Sequence, residues 1–386
     1  MISFFYNNCE RVTSSGSTIR ELDGLRFLAL SLVFLLHLNH SLMVHPGVAA
    51  QSTAWEKSVM YAFEFGSLGV QLFFLISGFI LGLPFARASL GEGRRVALKT
   101  FYLRRLTRLE PPLIIHLTVM LGLYVIIEGE SLVALLPHYA ATITYLHSHL
   151  YGALSPLNEM TWSLEVEAQF YLATPLLCLL FRIRNLFARR GLIVLGILGF
   201  GCIGPDLSRT LLPVQLSYFL TGFLLVDIYL VSWKSNPPRS KWADGVALAS
   251  IALFMLVCRF HKMLPMVPAL WALLMGLFCW AAFRGPITNR IFRLRFPATI
   301  GGMCYTYYLY HLVVIHGVSL ILVKYCPIAS YLEGFVIYLL VGGLANFVIC
   351  SVLFVLFEKP FMRWRPCKGN WGNGLFPLIS WRGVKT

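Results

Sequence analysis

Residues 335–357 read FVIYLLVGGLANFVICSVLFVLF, an uninterrupted apolar run without a charged side chain. A helix of about 20 apolar residues crosses the hydrocarbon core of a bilayer, where every backbone amide must be paired within its own segment. The whole chain has this character, because 58% of its 386 residues are hydrophobic and only 13% are charged. Soluble domains carry roughly 25% charged residues. This composition excludes a disordered protein, a basic nucleic-acid-binding domain and a single soluble domain.

Further apolar runs of similar length predict an all-α, polytopic membrane helical bundle of about ten transmembrane helices. The stretch Leu132–Leu150 is also apolar but contains Pro137 and three histidines, so we interpret it as interfacial or re-entrant. The first run begins too late and is too long for a cleavable signal peptide. The predicted spans are approximately 25–44, 66–86, 111–127, 162–181, 191–204, 212–231, 245–258, 266–283, 299–323 and 335–357.

The formal net charge of +15 is largely explained by topology. If the ten spans alternate in direction, all but five of the 32 Lys and Arg residues fall on the side that holds both termini. Cytoplasmic loops collect Lys and Arg, so this distribution predicts cytoplasmic termini. The nine cysteines are scattered and show neither a disulfide framework nor a zinc motif. The five exceptions are Lys57, Arg209, Arg259, Lys262 and Lys324.

Polar side chains within the first predicted span are the first functional candidates, because such groups are costly at membrane depth. Arg26 and His37 are eleven residues apart, which is close to three helical turns. They are therefore predicted to share one face, roughly 16 Å apart along the axis. An ordinary positively charged flank for Arg26 and a structural buried histidine for His37 are the simpler alternatives.

A basic segment precedes the third predicted span and includes Arg104, Arg105 and Arg108. We interpret this segment as a loop that runs into a span opened by Pro111. Arg105 and Arg108 have the i, i+3 spacing that places two side chains on one helical face, and guanidinium groups bind phosphates in a forked geometry. The alternative is a charge cluster that only fixes topology.

Two carboxylates begin the fourth predicted span, in the sequence WSLEVEAQFY from Trp162 to Tyr171. Trp162, Glu165 and Gln169 have helical spacing, whereas Glu167 points to a different face. A carboxylate inside a bundle can hold the tautomer of an imidazole or accept a hydroxyl proton. Exposure in the external headgroup layer is the alternative.

The ninth predicted span opens with a tyrosine-rich run that ends at His311. His311 and His316 do not share a helical face, so no metal site is predicted. Aromatic packing is the simpler reading of this run. Ser77, within the sequence FFLISGF at 73–79, is interpreted as part of a close helix crossing rather than as a nucleophile.

Taken in order, these motifs resemble the acyltransferase-3 family of integral membrane acyltransferases, from Leu22 to Pro360. The resemblance implies a cytoplasmic segment at 1–21, a transmembrane domain at 22–360 and a basic tail at 361–386. It also implies transfer of an acyl group, usually acetyl, from cytoplasmic acyl-CoA to a hydroxyl of a cell-surface or exported carbohydrate. The family's arginine–histidine pair corresponds to Arg26 and His37, and its basic pair to Arg105 and Arg108.

The expected mechanism places the charged end of CoA at the cytoplasmic arginines and its thioester near His37. His37 would act as general base or as transient acyl carrier, with Glu165 orienting it. The expected substrate-binding residues are Trp162, Glu167, Tyr307 and His311. Acyl-CoA is expected as a co-substrate rather than a bound cofactor, and neither a metal nor a nucleic acid is expected. The bacterial inner membrane is the expected location, and the oligomeric state stays open.

The sequence is also compatible with other functions. A proton-coupled secondary transporter could use His37, Glu165, Glu167 and Asp227 as a relay. A catalytically silent scaffold is a third possibility. Within the acyltransferase interpretation, a small-molecule acceptor such as a macrolide is the alternative to a carbohydrate.

Overall fold

The computed structural model of the chain describes residues 2–11, 18–45, 48, 53–203, 207–261 and 266–363. Lys262, the end of the fifth predicted span at Gly204 and nearly all of the predicted basic tail lie outside these residues. Throughout the described ranges, the regular structure is helical. The helices are α1 (Ile2–Cys9), α2 (Arg20–Met43), α3 (Ala54–Glu64), α4 (Leu68–Ser89), α5 (Leu98–Ile126), α6 (Leu132–Ile143), α7 (His147–Tyr151), α8 (Trp162–Leu177), α9 (Leu186–Gly201), α10 (Leu212–Asp227), α11 (Lys241–Phe260), α12 (Val267–Arg284), α13 (Pro286–Phe292), α14 (Arg295–Gly302), α15 (Cys304–Tyr325), α16 (Tyr331–Leu353) and α17 (Lys359–Arg363).

The prediction of a polytopic helical bundle is confirmed. Within the described residues, eight helical stretches are long and apolar enough to cross a membrane, judged by length and composition. Two shorter or more polar helices, α2 with 24 residues and α9 with 16, occupy the first and fifth predicted spans. The stretch that we interpreted as interfacial forms α6 and α7, and α6 has only 12 residues. The eight stretches are 54–89, 98–126, 159–182, 212–232, 241–260, 267–284, 304–325 and 331–362.

Two helix boundaries differ from the sequence prediction. The basic segment before the third span is not a loop, because α5 begins at Leu98 and continues through Pro111 and Pro112. Pro111 and Pro112 lack the N–H groups that would bond the Thr107 and Arg108 carbonyls, yet the helix is not ended there. Next to these carbonyls, the Tyr305 hydroxyl donates to the Leu109 carbonyl at 2.8 Å and ties α5 to α15. The ninth span is divided at Met303, where α14 ends and α15 begins.

The two described ends of the chain lie at the same end of the bundle. The Lys359 ammonium group donates to the carbonyl of Asn8. Arg295, at the start of α14, forms an ion pair with Glu10 at 3.1 Å. This arrangement agrees with termini on one side of a membrane, and the assignment of that side to the cytoplasm stays a prediction from the charge distribution.

A close helix crossing joins α4 and α10 through a reciprocal pair of glycines. A Cβ atom at Gly78 would overlap the Phe219 carbonyl, and one at Gly222 would overlap the Leu75 carbonyl. Small residues let helix backbones approach closely in membranes, where lipid provides no hydrophobic drive for association. The crossing fixes α4, which carries Ser77 next to Gly78.

The crossing predicts that alanine at Gly78 lowers the stability of the protein more than alanine at a glycine that has no close neighbour. We expect Gly78→Ala to destabilise the folded protein by about 1–3 kcal/mol, because the added methyl group meets backbone rather than a flexible side chain. Thermal unfolding of the purified protein in detergent measures this effect. Gly317→Ala is the matched control, since a Cβ there has no neighbour within 4 Å in the described structure. Equal melting temperatures for the two variants would contradict the close crossing.

Candidate active site

A small cavity inside the bundle brings together all three arginines that the sequence nominated. Arg26, Arg105 and Arg108 line it, and its volume is about 90 Å³. This is about three times the share of liquid volume that one water molecule takes. Drug-sized ligands occupy clefts of roughly 300–1,000 Å³. The cavity therefore has room for a phosphate-sized group and not for a whole nucleotide.

Arg26 is held in place by a carboxylate on its own helix. Its Nη1 atom lies 2.5 Å from Asp23 Oδ1, and Arg11 reaches the same oxygen at 3.1 Å. Arg26 and Asp23 are each only 6% exposed. Burial, followed by the neighbouring Arg26, lowers the pKa of Arg11. Two guanidinium groups thus share one carboxylate, which leaves an excess of positive charge at this end of the cavity.

Arg105 and Arg108 differ from Arg26 because neither forms an ion pair with a described residue. The Nε atom of Arg105 is buried and has no hydrogen-bond partner in the described structure. Its guanidinium carbon lies 5.7 Å from the centre of the Phe101 ring. A buried charge without a partner is costly, so an arginine left in this state is suited to an anionic ligand.

Glu167 is the carboxylate that lines the cavity, as its separate helical face suggested. Its Oε1 atom accepts hydrogen bonds from the Tyr171 hydroxyl at 2.6 Å and from Ser77 Oγ at 3.1 Å. Sequence analysis assigned Ser77 to helix packing, which describes Gly78 but not Ser77. A serine one residue before a packing glycine has no distinguishing signal, because its contact with α8 depends on the crossing of distant helices.

Tyr308 lies between the cavity and a group of buried histidines, His37, His116 and His311. It lines the cavity, and its ring centre is 6.2 Å from that of His311. The Tyr308 hydroxyl donates to the Met160 carbonyl at 2.7 Å and lies 2.5 Å from Ser163 Oγ. The arginine-lined cavity and the histidine group are therefore adjacent, and one aromatic side chain separates them.

His37 faces this histidine group rather than the arginine-lined cavity. It lies on the uninterrupted helix α2, as the spacing from Arg26 required, and is 7% exposed. Its ring centre is 5.2 Å from that of His311 and 6.1 Å from that of His40. No hydrogen bond from a described residue fixes the His37 imidazole, so either ring nitrogen can carry the proton.

The predicted pairing of Glu165 with His37 is not formed, which corrects the sequence-based mechanism. Glu165 is 1% exposed, and its carboxylate accepts hydrogen bonds from the Ser148 N–H at 3.1 and 3.2 Å. Its other neighbour is His149, 3.9 Å away. Glu165 thereby anchors the short helix α7 against α8. These hydrogen bonds depend on how two separate helices pack, which helical spacing could not show.

Two of the predicted substrate-binding residues, Trp162 and Tyr307, do not line the cavity. Trp162 packs edge-on against Phe74, and the Arg209 guanidinium lies 4.7 Å above its ring. The Tyr307 hydroxyl donates to the Phe347 carbonyl at 3.4 Å, so it faces α16. Trp162 and Tyr307 therefore belong to the walls of the bundle.

His116 joins the histidine group, although sequence analysis did not nominate it. It is fully buried, and its ring lies 4.5 Å, edge-on, from that of Tyr310. A lone histidine in an apolar span is a recognisable signal. Despite the histidines, the described residues contain no cluster of three or more His, Cys, Asp or Glu that could hold a metal ion.

Comparison with known proteins adds the family context. The model of the family described as "Acyltransferase domain", acyltransferase-3, matches residues 19–355. The chain is similar to the peptidoglycan O-acetyltransferase OatA of Listeria monocytogenes, with 25% identity over 384 residues, 90% of this chain and 56% of that relative. It is also similar to the O-acetyltransferase OatA of Staphylococcus aureus, with 29% identity over 165 residues, 40% of this chain and 24% of that relative. The chain thus spans little more than half the length of the Listeria relative. No solved structure gives a significant match.

Proposed function

Because the chain belongs to the acyltransferase-3 family, we propose that it is a membrane O-acyltransferase that moves an acetyl group from acyl-CoA to a carbohydrate hydroxyl. The observation that carries this proposal is the cavity in which Arg26, Arg105 and Arg108 converge. The names of the similar proteins support acetyl as the acyl group and an O-linked product. Membership of this family disfavours a secondary transporter.

The arginines supply the contact for the donor. CoA carries phosphates, and a guanidinium group pairs with phosphate oxygens through two parallel hydrogen bonds. Arg105 and Arg108 have no ion pair among the described residues, so they can bind such an anion without breaking an existing bond. The 90 Å³ cavity is too small for the nucleotide, which therefore lies outside it.

Two wider grooves near the start of α2 are suited to the nucleotide end. Their volumes are about 540 and 420 Å³, and Arg239 and Arg293 line both. Ile19 and Glu21 line the second groove, less than two helical turns before Arg26. A donor that extends from these grooves along α2 would direct its thioester toward the arginine-lined cavity and the histidines beyond it.

His37 supplies the chemistry in this proposal. As general base, it takes the proton of the acceptor hydroxyl while the hydroxyl oxygen bonds to the acyl carbon. The carbon–sulfur bond then breaks, and the proton passes to the leaving thiolate, so the products are the ester and CoA as a free thiol. As acyl carrier, His37 would bond to the acyl carbon while the carbon–sulfur bond breaks, and CoA would leave as a thiol with the imidazole proton. The acceptor hydroxyl would then bond to the acyl carbon, the carbon–nitrogen bond would break, and the hydroxyl proton would return to the imidazole.

The acceptor class is proposed from the similar proteins. The Listeria relative is named for peptidoglycan, so peptidoglycan fragments are the first carbohydrate acceptors to test. A membrane location follows from the helical bundle, and the bacterial inner membrane is the proposed site. No nucleic acid is invoked, because the positive charge is accounted for by topology and by the donor phosphates.

A direct assay tests the proposed function. The purified protein in lipid nanodiscs is incubated with acetyl-CoA and peptidoglycan fragments, and free thiol and acetyl esters are measured together. We expect thiol and ester to form in equal amounts. Acetyl-CoA that is neither bound nor consumed would reject the proposal. Ester formation on macrolides but not on carbohydrates would reject the acceptor class and keep the reaction.

A further inference from the structure

The tautomer of His116 is fixed by Asn158. The Asn158 carbonyl oxygen accepts from the Met160 N–H at 2.9 Å, and its amide nitrogen donates to the Leu309 carbonyl at 3.2 Å. These two bonds determine which end of the side chain is the donor. The same amide nitrogen lies 2.8 Å from His116 Nε2, which must therefore accept. In the neutral ring the proton consequently sits on Nδ1.

His311 is held in the same Nδ1–H tautomer by its own helix, but here it is Nδ1 that is bonded and Nε2 that is left over. Its Nδ1 atom lies 3.0 Å from the Tyr307 carbonyl and 2.9 Å from the Tyr308 carbonyl. Carbonyl oxygens only accept, so Nδ1 carries the proton in the neutral ring. His311 Nε2 is thereby left as a bare acceptor.

Both remaining ring nitrogens are buried and have no hydrogen-bond partner in the described structure. His116 offers a donor at Nδ1, and His311 offers an acceptor at Nε2. The Asn158 amide that holds His116 also bonds the Leu309 carbonyl, two residues before His311 on α15, and His37 lies 5.2 Å from His311 between ring centres. Leaving a buried polar group unsatisfied is costly, so such a pair favours a ligand that accepts and donates at once.

A hydroxyl group is the smallest chemical group that meets both requirements. We propose that His116 and His311 form a hydroxyl-binding site beside His37, which holds the acceptor alcohol of the acyl transfer. In the bound state the hydroxyl oxygen accepts from His116 Nδ1 and its proton points to His311 Nε2. When His37 acts as general base, the proton turns from His311 to His37; when His37 acts as acyl carrier, the bond to His311 stays in place during binding. This inference rests on the proposed function and names the residues that position its second substrate. Water has the same hydrogen-bonding chemistry, and the experiment separates the two occupants.

Two substitutions remove only the free nitrogen of each ring. In His311→Asn, the side-chain amide occupies the place of Nδ1 and keeps the donation to the backbone carbonyls, while Nε2 is lost. In His116→Gln, the side-chain oxygen occupies the place of Nε2 and keeps the bond from Asn158, while Nδ1 is lost. His261→Asn is the matched control, because His261 Nδ1 also contacts the carbonyl three residues earlier, at 2.9 Å.

The assay uses acetyl-CoA with methanol or ethylene glycol as probe alcohols, and it records acetyl ester, hydrolysis and acetyl-CoA affinity separately. We expect His311→Asn and His116→Gln to lower kcat/KM for the alcohol roughly 10- to 100-fold, because each leaves the hydroxyl with one hydrogen bond fewer. The dissociation constant of acetyl-CoA should stay within about twofold of that of the wild type, and His261→Asn should change neither quantity. Melting temperatures close to that of the wild type verify folding.

Three results would overturn the inference. Unchanged alcohol transfer in both variants would show that the two nitrogens do not hold the acceptor. A loss of hydrolysis with unchanged alcohol transfer would assign the site to water. An equal loss of acetyl-CoA affinity would move both histidines to the donor site. If the wild-type protein consumes no acetyl-CoA, the proposed function itself is rejected, and this inference is rejected because it rests on that function.

Discussion

The double variant Arg105→Ala/Arg108→Ala should lose acetyl-CoA binding by about 100-fold or more. Each arginine would make a charged hydrogen bond to phosphate, worth about 1.5–3 kcal/mol, and every 1.4 kcal/mol corresponds to a factor of ten. Isothermal titration calorimetry in nanodiscs measures the dissociation constant. The loss should shrink at high salt, since phosphate contacts of partly exposed charges are screened.

Arg104→Ala is the matched control for this double variant. Arg104 lies on the same turn of α5 but is exposed, and it does not line the cavity. We expect the melting temperature of the double variant to stay within a few degrees of the wild-type value, because neither arginine forms an ion pair with a described residue. The contrary result would be an unfolded double variant together with a loss of acetyl-CoA affinity in Arg104→Ala. It would indicate that the arginines form a structural charge cluster and not a donor site.

Replacement of His37 should have the largest effect on turnover. We expect His37→Ala to lower the transfer rate by about 10²–10⁴-fold, which is the usual contribution of a general base or acid. Acetyl-CoA affinity should persist, because the arginine-lined cavity does not include His37. Single-turnover measurements of ester formation with saturating acetyl-CoA test this expectation directly.

His40→Gln is the control on the same helix face, because His40 is exposed and hydrogen-bonds Glu64 at 2.9 Å. A fully active His37→Ala protein would remove His37 from the mechanism. Wild-type protein mixed with acetyl-CoA alone also separates the two roles of His37. A burst of one equivalent of CoA indicates an acyl-imidazole, whereas a slow release without a burst indicates a general base.

The sequence was most informative where a property belongs to a single helix. Apolar runs identified the bundle, and the eleven-residue spacing placed Arg26 and His37 on one continuous helix, as the structure has them. The i, i+3 spacing of Arg105 and Arg108 likewise brought both side chains to one cavity. These relations depend only on helical periodicity, which follows directly from residue spacing in the sequence.

The sequence was least informative where two distant helices meet. Glu165 resembled a catalytic carboxylate because it opens a span, yet its partner Ser148 lies on the separate helix α7, whose position helical spacing could not show. Ser77 and Glu167 are close because α4 and α8 pack together, and the free nitrogens of His116 and His311 depend on the bonds of their neighbours. The interpretation of Pro111 as the start of the third span was also wrong, because α5 continues through both prolines.

The position of Tyr308 has a consequence for the permeability of the membrane. A continuous file of protonable groups from the arginine-lined cavity through His37 and His40 to Glu64 would conduct protons and dissipate an electrochemical gradient. The Tyr308 ring interrupts that file, and its hydroxyl is committed to Ser163 and to the Met160 carbonyl. We therefore expect Tyr308 to limit proton leakage through the protein.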